Sequence, residues 1–311
     1  MGMIGSRATK VRADSAATLA AALFTVTIWA SAFVGIRSAG RSLSPGALSL
    51  GRLLVGSLVL AILLAVRGEG LPRWRELRTV LPALLTCGVL WFGVYNVVLN
   101  AGEQRVDAGT AAMLVNVGPI LIAILAGAIL REGYPKALLT GCAVAFAGIV
   151  VIGLATSNGG RAGAAGVALC LAAAGAYAGG VITQKPVLRV LSPLQTIFLC
   201  CVIGTVVCLP FAPTFGHRVA AAHASVVAWV VYLGTFPTAL AFTTWAFALA
   251  RTSAGRLAAM TYLVSPLSIL FGWMLLGETP PGLAFAGGAL CLIGVAVTRR
   301  RSLVRSMTDG R

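Results

Sequence analysis

The chain has 311 residues, 59% hydrophobic and only 10% charged, with a formal net charge of +16. Water-soluble globular domains run nearer half apolar and a quarter charged, so this balance excludes an ordinary soluble domain. The positive charge marks no nucleic-acid partner. The basic residues lie mostly between and beyond the apolar runs, where they orient helices and meet anionic lipid headgroups.

Residues 1–15 carry Arg7, Lys10 and Arg12 and form a basic cytoplasmic tail. Ten apolar runs follow, and crossing a hydrocarbon core of roughly 30 Å takes about 20 residues in each. They predict helices over 16–36, 46–66, 79–100, 108–130, 135–155, 163–184, 193–212, 224–249, 255–276 and 281–298. Ala30-Ser31-Ala32 resembles a signal-peptidase site, but the run is long enough to span and many more follow. We therefore expect the first helix to be retained. Pro45, Pro135, Pro193 and Pro281 open runs at or near the first helical position, where a missing N–H costs nothing. Clusters at Arg67 to Arg78, Arg131-Glu132-Gly133 and Ser157 to Gly163 separate the runs. A second basic tail, 299–311, follows the last one.

With both termini cytoplasmic, tails and inner loops would hold 18 Lys and Arg and the outer loops 5, with Arg52 left inside a span. That partition obeys the positive-inside rule, and adding or removing one helix would scramble it. The seven cysteines all fall in apolar runs without a CxxC pair, so they read as packing residues. Neither a disulfide framework, a metal site nor a cofactor is implied.

The chain repeats itself at a spacing of 146 to 148 residues. Ser44-Pro45 recurs as Ser192-Pro193, Trp29-Ala30 as Tyr177-Ala178 and Gly56 as Gly204. Ala111-Ala112-Met113 recurs as Ala258-Ala259-Met260, Pro119 as Pro266 and Leu130-x-Glu132 as Leu276-x-Glu278. Gly141 and Gly148 match Gly287 and Gly294. Two units follow, 16–155 and 163–298, each of five helices. Because five is odd, the second unit enters the membrane in the opposite sense. The expected fold is an all-α integral membrane protein of ten helices in two inverted repeats, a design of alternating-access transporters.

The Trp-Ala of the first helix, the Ala-Ala-Met-x-x-x-x-x-Pro of the fourth and the Leu-x-Glu before the fifth resemble the EamA family of the drug/metabolite transporter superfamily. The resemblance covers roughly 17–298. It implies ten helices, both ends cytoplasmic, location in the cytoplasmic (inner) membrane, and export or exchange of amino acids, related metabolites or drugs. Coupling to a proton or to counter-substrate goes with it.

Pro119 and Pro266 interrupt equivalent helices beside Asn116 and Ser265, and such matched breaks point to a transport site. Pro237 is a third helix break. Trp91, Tyr95, Asn96 and Asn100 form the densest polar-aromatic group in any span, able either to bond another helix or to line a wet pocket. Trp29, Tyr177, Trp245 and Tyr262 could wall the same cavity, although each alone also suits packing or an aromatic belt. Arg52, the one charge within a span, suits a substrate carboxylate or phosphate, but its side chain is long enough to reach the outer surface or backbone carbonyls. Glu132 and Glu278 recur before the next helix, where acids complement its dipole.

No paired-Asp, HExxH or GxSxG motif and no intramembrane Lys suggests an enzyme. The alternatives to a transporter are a passive channel and a membrane scaffold or receptor. The expected partners are a small-molecule substrate and the lipid bilayer, with a homodimer left open.

Overall fold

The computed structural model describes residues 2–40, 42–103, 105, 114–156, 164–276 and 281–299, and every regular element among them is helical. We number them α1 (Gly2–Ala39), α2 (Pro45–Val66), α3 (Trp74–Gly102), α4 (Gly118–Ala128) and α5 (Lys136–Thr156). The second half holds α6 (Ala164–Val187), α7 (Pro193–Ala220), α8 (Ala224–Arg251), α9 (Ala254–Leu275) and α10 (Gly282–Arg299). Eight are long and apolar enough to cross a membrane, α1 through its stretch Ser15–Ile36. Helices α4 and α10 are shorter.

The recurring Ser-Pro pairs act as helix starts. Ala47 N donates to Ser44 Oγ at 3.4 Å with Pro45 opening α2. Gln195 N donates to Ser192 Oγ at 3.1 Å, and Ser192 N donates back to Gln195 Oε1 at 3.2 Å, a full capping box at the start of α7. At α4 the structure departs from the sequence expectation. Pro119 does not kink a helix over 108–130; it lies in the first turn of a helix beginning at Gly118, after a turn at Asn116-Val117. Residues 106–113 lie outside the described residues. In α9 a 3-10 turn, Thr261–Leu263, precedes the segment that holds Pro266.

Two helices contain wide π-helical turns, Gly88–Val94 in α3 and Gly234–Leu240 in α8. They stand 146 positions apart (88 to 234, 94 to 240), the spacing of the sequence repeat. Helix pairing follows the same rule. Helix α1 packs on α8 and α9 as α6 packs on α3 and α4, while α2 meets α7, α4 meets α9 and α5 lies along α10. Replacing each helix by the one five places away leaves this set unchanged.

The α5–α10 seam shows why glycine recurs. A Cβ on Gly141 would stand 2.7 Å from Gly294 O, and one on Gly148 would stand 2.5 Å from Gly287 O. The helices are thus antiparallel and in backbone contact, and Cys291 Sγ reaches Ala145 O at 3.5 Å between the two crossings. In a lipid solvent there is no hydrophobic drive between helices, so close packing of small residues supplies the adhesion.

Loops of the first half reach helix starts of the second. Ser192 Oγ donates to Glu69 Oε2 at 2.6 Å, and Gln195 Nε2 donates to Gly70 O at 2.7 Å. Ala254 N donates to both Glu132 oxygens, at 2.8 and 3.0 Å, while Lys185 Nζ lies 3.2 Å from Glu132 Oε1 and also donates to Thr252 O. Glu132 therefore caps α9 and not the following α5. Ser253, the residue before α9, makes no side-chain cap bond, so the helix start offers unsatisfied N–H groups. Left-handed Arg131 (φ 56°) and Gly133 (φ 73°) flank Glu132 in the turn that presents it. Its counterpart Glu278 lies outside the described residues, as do 300–311 of the basic tail.

Candidate aromatic transport site

A cluster of rings gathers around Trp91, one of the two largest fully buried side chains, in the π-helical turn of α3. Its ring centroid is 5.0 Å from Phe242, 5.3 Å from Tyr177, 5.8 Å from Trp245 and 6.2 Å from Trp29. Phe92 and Phe242 close the group at 4.6 Å, and Tyr95 joins through Tyr177 at 6.0 Å. Four helices, α1, α3, α6 and α8, thus contribute to one cluster that draws on both halves. Most contacts are edge-on or tilted, the arrangement favoured by the ring quadrupole. Trp91 approaches α6 closely because residue 180 is glycine: a Cβ there would lie 2.5 Å from Trp91 Cβ.

The π-helical turns interrupt the regular hydrogen-bond ladder, and side chains fill in. Asn96 Nδ2 donates to Phe92 O at 2.9 Å and Trp91 O at 3.3 Å. Trp29 Nε1 donates to Pro237 O at 3.2 Å, bridging α1 to the turn in α8. Thr238 Oγ1 donates to Leu233 O at 2.8 Å and accepts from Arg52 Nε at 3.1 Å. In lipid such groups have no water to turn to, so irregular backbone persists only where protein or a cavity satisfies it.

Three polar atoms of the expected site are buried without a hydrogen-bond partner among the described residues: Tyr177 OH, Trp245 Nε1 and Tyr262 OH. The Thr261 hydroxyl donates to Ala258 O at 2.7 Å. Leaving such a group unpaired costs about 1–3 kcal/mol, so a folded chain that retains several has a reason to do so.

The remaining expected residues divide. Asn116 Nδ2 donates to Ser265 Oγ at 3.3 Å, joining the breaks before α4 and within α9. Tyr262 is fully buried but outside the ring cluster, with Cys142, Tyr177 and Cys291 as its neighbours. Asn100 Nδ2 donates to Pro45 O and Ser49 Oγ, a bond between α3 and α2. Arg52 does not reach the outer surface, since it is 8% exposed and bonded to Thr238. A cavity of about 140 Å³ lies away from the rings, lined by Glu132, Ser253 and Arg256 among others. Sequence reasoning missed Phe92 and Phe242. The signal was there for Phe242, three residues before Trp245 and so on the same helix face.

The EamA-like transporter family matches this chain twice, over residues 16–154 and 164–300. A "Probable terminal-alkyne amino-acid exporter" of Streptantibioticus cattleyicolor is 38% identical over 295 residues, 94% of this chain and 97% of that protein. A "Probable amino-acid metabolite efflux pump" of Salmonella typhimurium is 25% identical, over 89% of this chain and 92% of its own length. A crystal structure superposes with a TM-score of 0.75 at 20% identity, covering 92% of this chain and 98% of that one, a likeness of fold. The chain belongs to the EamA-like transporter family.

Proposed function

We propose that this multi-pass membrane protein is a secondary active exporter or exchanger of amino acids or closely related metabolites, working by alternating access. One observation carries the reading: two π-helical turns at matching places in the two halves, Gly88–Val94 and Gly234–Leu240, with the aromatic cluster between them. Interrupted helices at corresponding positions of a duplicated fold mark transporter sites. The site comprises Trp29, Trp91, Tyr95, Asn96, Tyr177 and Trp245, with Asn116 and Ser265 at its edge. Pro119, Pro237 and Pro266 mark the helix breaks about which it opens.

The ten helices act as two five-helix units of opposite membrane sense, in the cytoplasmic membrane with both termini inside. The antiparallel α5–α10 seam supports that sense, because exchange of the halves then requires a two-fold axis across the helices. Two near-equivalent halves give outward-open and inward-open states of similar energy. The names of the two exporters above favour amino acids as cargo.

Counterflow decides the reading. Purified protein in liposomes loaded with an unlabelled amino acid should accumulate the labelled form transiently and saturably. Linear, non-saturating flux would identify a channel, and no flux for any amino acid, nucleoside or sugar would leave a scaffold.

A further inference from the structure

We propose that Arg52 is the carboxylate receptor of the transport site, so that a substrate must carry one free carboxylate. This rests on the transport reading and narrows its substrate class.

Arg52 is the only charged residue in the buried class among the described residues. It stands in α2 where a cation in lipid is costly, and such residues persist when they face a partner or a pathway. Among the described side chains no carboxylate faces it as a counter-ion. Glu69 is engaged with Ser192, Glu76 with the Arg73 backbone N–H, and Glu132 with Lys185 and the start of α9. No carboxylate among the described residues pairs with Arg52.

The guanidinium is nevertheless held in place. Its Nε donates to Thr238 Oγ1 in the π-helical turn of α8, and the Thr238 proton goes to Leu233 O. That anchors one edge of the planar group and leaves the Nη1 and Nη2 pair without a protein acceptor among the described residues. Two parallel N–H donors on a fixed plane match the two oxygens of a carboxylate. A phosphate dianion would leave one negative charge unmatched, because no second cation among the described side chains joins Arg52 there.

Position ties this anchor to the rings. Thr238, which holds Arg52, follows Pro237, whose carbonyl accepts from Trp29 Nε1, and Trp29 lies against Trp91 and Trp245. A ligand with its carboxylate on Arg52 would extend its remainder over aromatic faces. Those faces accept apolar groups and attract an ammonium, a combination that fits a zwitterionic amino acid and disfavours sugars, nucleosides and purely cationic drugs.

The experiment compares L-propargylglycine, L-leucine and L-phenylalanine with their carboxamides and their phosphonate analogues. Competition for counterflow and ligand-induced thermal stabilisation are both read. The acids should compete and stabilise at concentrations at least tenfold below the amides, with the phosphonates weaker than the acids. Arg52→Gln should lose tenfold or more for the acids and no longer separate acid from amide, while Arg52→Lys should keep part of the preference. Amides that match the acids in the unaltered protein, or an Arg52→Gln protein that still prefers acids, would overturn the assignment. If Arg52→Gln fails to fold, the acid–amide comparison in the unaltered protein and in Arg52→Lys decides it. Stabilisation by acids without any counterflow would sink the transport reading while leaving the receptor standing.

Discussion

The α5–α10 seam and the aromatic cluster are both assembled from the two halves of the chain, yet they are built on opposite principles. In the seam, Gly141, Gly148, Gly287 and Gly294 bring backbone against backbone. In the cluster, bulky rings meet across π-helical turns, and Tyr177 and Trp245 retain unpaired polar atoms. A surface made of backbone has one arrangement. A surface made of rings on irregular helices can repack, which is what the alternating-access site proposed above would require.

Substitutions in the two regions should therefore fail differently. Gly294→Leu forces side-chain atoms into Ala145 N and Gly141 O, 2.4 and 2.6 Å from the new Cβ. Destabilisation of about 3 kcal/mol or more is expected, read as loss of folded protein in thermal unfolding in detergent. Normal melting would mean that the seam is not backbone-tight. Asn96→Ala should cost about 2 kcal/mol, because two carbonyls of the α3 turn lose their donor, and counterflow should fall with it. A variant with full flux would remove the turn from the site.

Tyr177→Phe sharpens the contrast most. Deleting an unpartnered hydroxyl should leave stability unchanged or slightly higher, yet transport should drop about tenfold, equivalent to about 1.4 kcal/mol. Unaltered transport would reduce Tyr177 to packing. The smallest effect is expected for Glu132→Gln, at the partly buried pair with Lys185. Here about 1 kcal/mol of capping and ion-pair energy is lost. Thiol labelling at Thr252→Cys should then rise, since the tie holding the start of α9 to Glu132 is weaker. Unchanged labelling would show that the tie restrains nothing.

Much of this architecture was legible in the sequence, because lipid leaves few solutions and the duplication shows every landmark twice. Ser44-Pro45 and Ser192-Pro193 mark helix starts by chemistry that acts locally. The π-helical turns were not legible. The one in α3 contains no proline that would mark it. Glu132 was read as a cap for its own neighbour because sequence shows only what is adjacent. The α9 start that it serves is 122 residues away. Trp91 was grouped with Tyr95, Asn96 and Asn100, and Trp29, Tyr177, Trp245 and Tyr262 were read as walls of the same cavity, but only the fold shows that Phe92 and Phe242 join the rings.

Gly141 meets Gly294 while Gly148 meets Gly287, and Ala145 meets its own counterpart Cys291 between them. Partner exchange of this kind is the contact rule of a two-fold homodimer, here contained within one polypeptide. Nothing in the seam requires its two sides to be covalently joined. Cutting the chain between Thr156 and Ala164 and co-expressing the pieces should return a complex that co-purifies, each fragment carrying the face the other needs. In that geometry the link between the halves sets how they are joined, and the seam sets how they fit.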